Sequence, residues 1–297
     1  MDSTQECKEV YSKYTPYFYI TQKARYERQT IIREIQNETK RKLIVYYSLG
    51  SIGEQDVAPF TDLLHRLNSD NTDDLDLFLH TNGGSIDIAE KIVYMCRYRS
   101  KSLRVIVPER AKSAGTLISL AADEIVMGYA SELGPIDPQI VMTSADGKMF
   151  QAPAQSYIDG LEYISSKIEE NPGSENVYFP MLSNINPALI DTCIKAKDRS
   201  KKFATKWLCE YMLRDDPCKD EKSKEIAEKL CNVKEYLSHG MAINPTEASE
   251  IGLKVKFLDH DDPLWQRIWA LYISYNWLAT HEGKGIVFEG DYASIIF

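Results

Sequence analysis

Short apolar runs alternate with amphipathic stretches through the first half of the chain. Four runs rich in β-branched and aromatic residues predict buried strands: Leu43–Tyr47, Leu75–His80, Leu103–Val107 and Glu124–Gly128. Three segments with apolar residues at helical spacing separate them: Asp56–Asn68, Ile86–Arg97 and Ser113–Ala122. Strands that alternate with helices over short connections predict an α/β fold with a mostly parallel sheet and right-handed crossovers.

The second half of the chain has a different pattern. Long helical segments are predicted at Tyr157–Glu169, Asn186–Leu213 and Glu221–Leu230, and a strand follows at Leu253–Leu258. A helix-like stretch, Arg25–Lys40, precedes the first strand, and a tryptophan-rich helix begins at Asp262 and Pro263. We therefore expect a helical extension over residues 1–40, a core domain over 41–260 and an aromatic helix and tail over 261–297.

The last predicted helix can place five apolar residues on one stripe: Leu264, Ile268, Leu271, Tyr275 and Leu278. Such a stripe packs either against the core or against another subunit, where aromatic residues are enriched. His80 directly precedes a glycine-rich turn. Two roles remain open for it: a purely structural residue at the end of a strand, or a residue that supports the turn.

Composition narrows the class of protein. The 297 residues are 43% hydrophobic, and 44 acidic against 35 basic side chains give a formal charge of -9. A net acidic chain disfavours a nucleic-acid partner, because neutralising phosphates requires a positive field. No apolar run has the length of a membrane span, and the first residues contain no apolar signal-peptide core. We expect a soluble protein of the cytoplasm.

The cysteines favour the same compartment. They are far apart and form no CxxC pair: Cys7, Cys96, Cys193, Cys209, Cys218 and Cys231. This spacing supports neither a metal site nor a disulfide framework. We expect a reducing environment, no metal and no cofactor.

Two loops between predicted strands and helices have the composition of a catalytic site. In Thr81–Ser85 (TNGGS), paired glycines allow the backbone to approach a ligand and direct N–H groups at a developing anion. In Lys112–Thr116 (KSAGT), Ser113 opens a helix of small residues, where the helix dipole favours negative charge. Taken singly, the first loop has the composition of a plain tight turn and the second that of a helix cap. Together they predict an oxyanion hole beside a nucleophile.

Four segments resemble, in this order, the serine dehydrogenase proteinase family, a branch of the Clp-type and signal-peptide-peptidase-A-type serine peptidases. They are LHTNGGSIDIAEKI, ERAKSAGTLISLAADEIVMG, ELGPIDPQ and SHGMAINPTEASEIGL, within a resemblance from about Arg25 to Leu258. The resemblance implies a ClpP/crotonase-like superhelix of β-β-α units with helical additions at both ends. It also implies homo-oligomeric assembly and serine-dependent peptide hydrolysis.

The resemblance assigns roles to residues of this chain. Ser113 matches the nucleophile, and Gly84 and Ala114 match the backbone donors of the oxyanion hole. The family is described with the order Ser, Asp, His, so Asp137 is expected to orient His239, the general base. Asn82 stands where the family usually has proline.

Two alternatives to this triad remain open. Asp191 is a second candidate for the orienting carboxylate. A related branch uses a lysine base, which requires a lowered pKa, and Lys148 and Lys167 are the candidates for it. The position that aligns with that branch's lysine holds Gln155, which cannot act as a base.

The expected function is therefore an ATP-independent serine endopeptidase or oligopeptidase acting on peptides or polypeptides. Two other classes of function remain open. One is a crotonase-type acyl-coenzyme A thioester enzyme, which uses the same kind of oxyanion hole without a serine nucleophile. The other is an inactive pseudo-peptidase that serves as an oligomeric scaffold.

Overall fold

The computed structural model describes residues 15–65, 67, 73–143, 147–182, 186–232 and 241–297. Eleven strands and ten helices are assigned within this part of the chain. The strands are β1 Lys42–Ser48, β2 Asp74–Thr81, β3 Ser102–Val107, β4 Arg110–Ala111, β5 Glu124–Gly128, β6 Glu132–Leu133, β7 Gln139–Thr143, β8 Met149–Pro153, β9 Val255–Leu258, β10 Ile286–Glu289 and β11 Ser294–Ile296. The helices are α1 Pro16–Thr39, α2 Val57–Leu64, α3 Ile86–Arg99, α4 Ala114–Leu120, α5 Ala154–Glu170, α6 Glu175–Leu182, α7 Pro187–Trp207, α8 Lys219–Cys231, α9 Pro245–Ile251 and α10 Pro263–Glu282.

A single sheet forms the centre of the molecule, with the strand order β11-β10-β1-β2-β3-β5-β9. β1, β2, β3, β5 and β9 are parallel, and β10 joins β1 in antiparallel pairing. The short strands β4 and β6 continue from the carboxyl ends of β2 and its neighbours, with Thr81 paired to Ala111 and Ala111 to Leu133. The α/β class and the parallel sheet predicted from the sequence are confirmed.

The two faces of the sheet bury different helices. Alternate residues of β1 and β2, such as Tyr46 and Leu79, face the larger core, which α2, α3, α4, α7, α8 and α9 cover. Val45 and Phe78 point to the other face, where α1 and α10 pack. This alternation follows from the two-residue period of a strand. It places the amino end of α4, which begins after Ser113, on the face of the larger core.

The two terminal segments of the chain pack against the sheet or join it. The predicted stripe of α10 is buried in the second core, as the core-packing alternative required. The range 261–297, predicted as a helix and tail, also supplies β10 and β11 to the sheet. α1 begins nine residues before the predicted start, because Thr15 caps its amino end and Pro16 occupies the first turn.

Two predicted helix boundaries differ from the structure. The segment predicted as one helix from Asp56 is a short 3₁₀ turn, Glu54–Asp56, followed by α2, which ends at Leu64. The helix predicted from Asn186 changes after Trp207 into a π turn over Leu208–Met212.

A small unit lies beyond the sheet, made of the β7–β8 hairpin, α5 and α6. A minor core of Ile140, Ala154 and Cys193 connects the hairpin and α5 to α7. Within the described ranges, no helix is long and apolar enough to cross a membrane.

Candidate active site

Ser113 occupies a strained tight turn between β4 and α4. Its φ of 50° and ψ of -111° are the angles of the first central residue of a type II′ turn, and the Gly115 N–H donates to the Lys112 carbonyl at 2.7 Å to close it. Among the described residues other than glycine, only Lys40 shares a positive φ. The turn leaves Ser113 half-buried, and no described residue hydrogen-bonds its hydroxyl. A polar side chain is thus held at a helix amino end in a conformation that favours glycine.

The glycine loop lies directly against this turn. A Cβ on Gly83 would lie 2.8 Å from Ser113 Cβ and 3.3 Å from the Ala114 nitrogen. Gly83 has a φ of 101°, and its N–H donates to Thr81 Oγ1 at 3.0 Å. A glycine is therefore required here by both the backbone conformation and the close approach of Ser113.

Gly84 is held from its other side by the loop after β1. Ile52 N–H donates to the Gly83 carbonyl at 2.8 Å, and Ser85 N–H donates to the Ile52 carbonyl at 2.9 Å. A Cβ on Gly84 would lie 2.4 Å from the Ile52 nitrogen. Asn82, which replaces the usual proline, donates from Nδ2 to the Leu49 carbonyl at 3.1 Å and fixes the same loop.

Two backbone amides have no acceptor in the described part of the chain, that of Ala114, which follows Ser113, and that of Gly84, which follows Gly83. The amide of Ala114 is one of the first in a helix, which have no intrahelical partner. The Gly83 amide, by contrast, is already bonded to Thr81. A pair of such amides next to a hydroxyl is the arrangement that stabilises the oxyanion of a tetrahedral intermediate.

Asp137 is buried in the segment that follows β6. Its neighbour Ile136 donates a hydrogen bond to the Leu230 carbonyl at 3.0 Å, and Pro138 accepts one from Ala154 at 2.9 Å. The pKa of the Cys231 thiol is raised to about 12, mainly by burial and in part by the nearby Asp137 carboxylate. The segment that carries Asp137 is therefore held between the amino end of α5 and the carboxyl end of α8.

His239 lies outside the described residues. The described chain resumes at Met241, whose carbonyl accepts a hydrogen bond from Lys112 Nζ at 3.2 Å. Ile243 then pairs with Leu133 through two reciprocal backbone hydrogen bonds of 2.9 and 3.0 Å. The segment after residue 240 thus lies beside the residue that precedes Ser113.

The alternative candidates lie on the protein surface. Asp191 is exposed on α7 and forms an ion pair with Lys195, 2.6 Å between Oδ2 and Nζ. Lys167 is paired with Glu170 at 2.6 Å, and this hydrogen bond raises the pKa of Lys167, opposite to the shift that a lysine base needs. Lys148 is exposed just before β8.

Gln155, at the start of α5, joins two neighbouring groups. Its Nε2 donates to Asp159 Oδ1 at 2.7 Å, and its Oε1 accepts from Lys197 of α7. A lysine of a different helix, Lys197, therefore contacts the side chain at this position.

His80 is fully buried on the face that α10 covers. Its ring stacks on Tyr47 with 4.6 Å between centroids, and its Nδ1 lies 3.4 Å from Glu109 Oε2. Burial lowers the pKa of His80 to about 3, with a smaller contribution from Arg110. The imidazole is therefore neutral at pH 7, and its contact with Glu109 is not an ion pair.

Three site residues were not singled out from the sequence: Thr81, Lys112 and Thr116. Thr116 Oγ1 lies within hydrogen-bonding distance of the Ala111 and Gly134 carbonyl oxygens, at 2.7 and 2.8 Å, and Thr81 Oγ1 accepts from the Gly83 amide. Lys112 and Thr116 flank Ser113 within the KSAGT segment, which is the one indication that the sequence provided. No group of three or more His, Cys, Asp or Glu side chains suited to a metal ion occurs among the residues described.

A serine on a strained strand-to-helix turn, beside a glycine loop with available amides, is typical of serine-dependent hydrolases. Residues 13–169 match the ClpP-like SDH-type serine proteinases, and the chain belongs to this family.

Two uncharacterized proteins of Methanocaldococcus jannaschii, MJ1495 and MJ0137, are 30% and 33% identical to the chain over 181 residues, or 61% of its length. The matched region covers 51% and 53% of those proteins, so the chain spans about half the length of the curated relatives it matches.

Among solved structures, the fold is similar to two variants of the 1510-N membrane-bound stomatin-specific protease. One has a TM-score of 0.47 and 17% identity, covering 76% of this chain and 84% of that one. The other, in complex with a substrate peptide, has a TM-score of 0.41 and 20% identity, covering 74% and 78%. ClpP1 from Listeria monocytogenes has a TM-score of 0.44 and 14% identity, covering 77% and 98%.

Proposed function

We propose that the protein is a serine peptidase that hydrolyses peptide bonds through an acyl-enzyme at Ser113. Gly84 and Ala114 donate their amides to the oxyanion, His239 is the general base, and Asp137 orients it. The membership of the chain in a serine proteinase family supports this reaction class.

The conformation of Ser113 carries the proposal. A non-glycine residue at a φ of 50° costs roughly 1–2 kcal/mol relative to ordinary backbone. A plain helix cap needs no such angle, because cap residues adopt extended backbone, as Ser85 and Asn244 do here. Strain at a half-buried hydroxyl, against a glycine loop, is what a nucleophile presented to a substrate requires.

The reaction proceeds in two balanced steps. In the first, Ser113 Oγ attacks the scissile carbonyl carbon while His239 accepts the hydroxyl proton, and the Gly84 and Ala114 amides stabilise the negative charge on the carbonyl oxygen. The C–N bond then breaks, and His239 returns the proton to the leaving amine. In the second step, water deprotonated by His239 attacks the ester, and the carboxylic acid product and the Ser113 hydroxyl are released.

Labelling with a fluorophosphonate probe tests the proposal. We expect one phosphonyl group per chain on Ser113, located by peptide mass spectrometry, and no labelling of Ser113→Ala. We also expect His239→Ala to slow labelling without changing its site. Absence of labelling on the folded wild-type protein would exclude the acyl-enzyme mechanism.

Ser113→Ala and the wild-type protein together separate the peptidase from the other two classes of function, the thioester enzyme and the inactive scaffold. Turnover of an acyl-coenzyme A thioester that survives Ser113→Ala would indicate a crotonase-type enzyme. Intact assembly with neither labelling nor peptide turnover would indicate a scaffold.

We propose in addition that the protein acts as a homo-oligomer. Seven large apolar side chains are exposed on the unit formed by the hairpin, α5 and α6: Val141, Met149, Phe150, Tyr163, Val177, Phe179 and Met181. Exposed apolar side chains concentrated on one unit are typical of subunit contacts. Light scattering coupled to size exclusion tests this, with Met149→Lys expected to reduce the molar mass.

The substrate is proposed to be a peptide or unfolded polypeptide, cleaved without ATP. The sequence contains no phosphate-binding loop of the form G-x-x-x-x-G-K-[ST]. This supports cleavage without ATP. A cytoplasmic location is proposed from the wide spacing of the cysteines. Hydrolysis of unfolded casein at the same rate with and without ATP would support both substrate statements.

A further inference from the structure

Lys112, which directly precedes Ser113, has all three ammonium donors engaged. Its Nζ lies 2.8 Å from Glu132 Oε1, 3.1 Å from the Leu133 carbonyl and 3.2 Å from the Met241 carbonyl. The side chain is only 11% exposed. An ammonium group in this position is held by one opposite charge and two backbone dipoles.

The three acceptors belong to two segments of the candidate site. Glu132 and Leu133 form β6, which leads within four residues to Asp137. Met241 resumes the chain two positions after His239. The Leu133–Ile243 pair joins the same two segments, and Lys112 lies at one end of that pair.

The backbone of Lys112 fixes it to the nucleophile turn and the glycine loop. Its carbonyl closes the turn through Gly115, and its N–H donates to the Thr81 carbonyl at 3.0 Å. The side chain crosses Gly134, where a Cβ would lie 2.7 Å from Lys112 Cδ. A glycine at position 134 therefore leaves the space through which the lysine reaches Met241.

We propose that Lys112 is a positioning residue for hydrolysis, which holds the segments leading to Asp137 and away from His239 against the Ser113 turn. This inference rests on the proposed function. Lys112 is not the base itself, because two carbonyl groups and a carboxylate occupy its donors. Its effect passes through the placement of the acid-base pair, where an error of about 1 Å can cost about 10²-fold in rate.

Four variants test the role. Lys112→Met keeps the aliphatic stem and removes the ammonium, and Gly134→Ala keeps the charge but displaces the stem. We expect both to slow fluorophosphonate labelling of Ser113 about 10- to 100-fold. Lys112→Arg, which can still donate to both carbonyls, is expected to recover part of the rate. Lys23→Met, which removes an exposed ammonium of α1 outside the candidate site, is the matched control and is expected to label at the wild-type rate.

The final stoichiometry of labelling separates positioning from loss of structure. A partly unfolded variant labels fewer than one serine per chain, whereas a mispositioned site labels fully but slowly. For peptide substrates we expect kcat to fall with KM little changed. Wild-type labelling rates in Lys112→Met would overturn the proposal. If that variant does not fold, a wild-type rate in Gly134→Ala overturns it equally.

Hydrogen exchange keeps this test separate from that of the proposed function. If the wild-type protein does not label at all, the peptidase proposal fails. In Lys112→Met or Gly134→Ala, faster exchange of the Leu133 and Ile243 amides than in wild type would still support the connecting role. Unchanged exchange would refute that role whether or not the protein is a peptidase.

Discussion

The position that a Cβ on Gly83 would occupy lies 2.8 Å from the Cβ of Ser113, closer than two such atoms approach in folded proteins. The glycine loop and the nucleophile turn are therefore packed directly against each other.

The first prediction concerns this contact. Gly83→Ala introduces a methyl group against Ser113 and a side chain at a φ of 101°, so the loop must move away from the turn. We expect labelling of Ser113 to slow about 100-fold while the fold is retained. The measurement is the second-order rate constant for fluorophosphonate labelling. Gly160→Ala, on α5 where an added Cβ meets nothing within 4 Å, is the matched control and should label like wild type.

The second prediction concerns the strain at Ser113. Ser113→Ala and Ser113→Gly both remove the hydroxyl, but only glycine relaxes at a φ of 50°. We expect neither variant to label, and we expect Ser113→Gly to exceed Ser113→Ala in free energy of unfolding by about 1 kcal/mol. Urea denaturation followed by circular dichroism measures the difference. Equal stabilities of the two variants would contradict the assignment of a strained turn.

Local pattern was sufficient for the centre of the fold. The runs that became β1, β2, β3 and β5 are rich in apolar residues and buried over most of their length, so their place in a parallel sheet is encoded largely in the residues themselves. The stripe on α10 was predicted in the same way, although its choice of core over interface depended on the sheet behind it.

Elements that depend on distant partners were missed. The strand β10 is only four residues long, and its place is decided by pairing with β1 some 240 residues earlier, since Phe288 aligns with Tyr46. The hairpin β7–β8 exposes much of its surface and ends in Pro153, so it lacks the pattern of a buried strand.

In the candidate site, too, the local motifs were predictable from the sequence and the contacts between distant segments were not. The serine and glycine loops are compact motifs and were recognisable from the residues alone. The role proposed for Lys112 requires the Met241 carbonyl, 129 positions away, and the burial of Asp137 requires α8. Neither the contact of Lys112 with Met241 nor the burial of Asp137 can be read from the residues next to them in the sequence.

The third prediction concerns the buried imidazole of His80. Its pKa is lowered from 6.5 to about 3 by burial, so the folded protein leaves it neutral while the unfolded chain binds a proton below about pH 6.5. The stability linked to His80 is therefore complete above pH 6.5 and is lost as the pH falls from 6.5 toward 3, by about 1.4 kcal/mol per pH unit.

We expect His80→Phe, which retains an aromatic ring against Tyr47, to show a shallower loss of melting temperature between pH 6.5 and pH 4 than wild type. Thermal unfolding at a series of pH values measures this. His65→Asn removes an exposed histidine and is the matched control, with the wild-type slope expected. If His80→Phe also kept the wild-type slope, the neutral state of His80 would be refuted.

The fourth prediction concerns the buried ion pair that joins α1 to β10. Arg28 donates to both carboxylate oxygens of Glu289, at 2.7 and 3.2 Å, and Tyr275 donates to the same carboxylate at 2.8 Å. Glu289 is fully buried, so Arg28→Met leaves a charge without its partner inside the second core. We expect this variant to lose about 3–5 kcal/mol of stability.

Arg28→Met combined with Glu289→Gln removes both charges and should lose less stability than Arg28→Met alone. The free energies of unfolding of the two single variants and the double variant give the coupling energy. Lys23→Met breaks an exposed pair with Glu27 on the same helix and should cost no more than about 0.5 kcal/mol. Strict additivity of the substitutions at 28 and 289 would show that the two charges do not act as a unit.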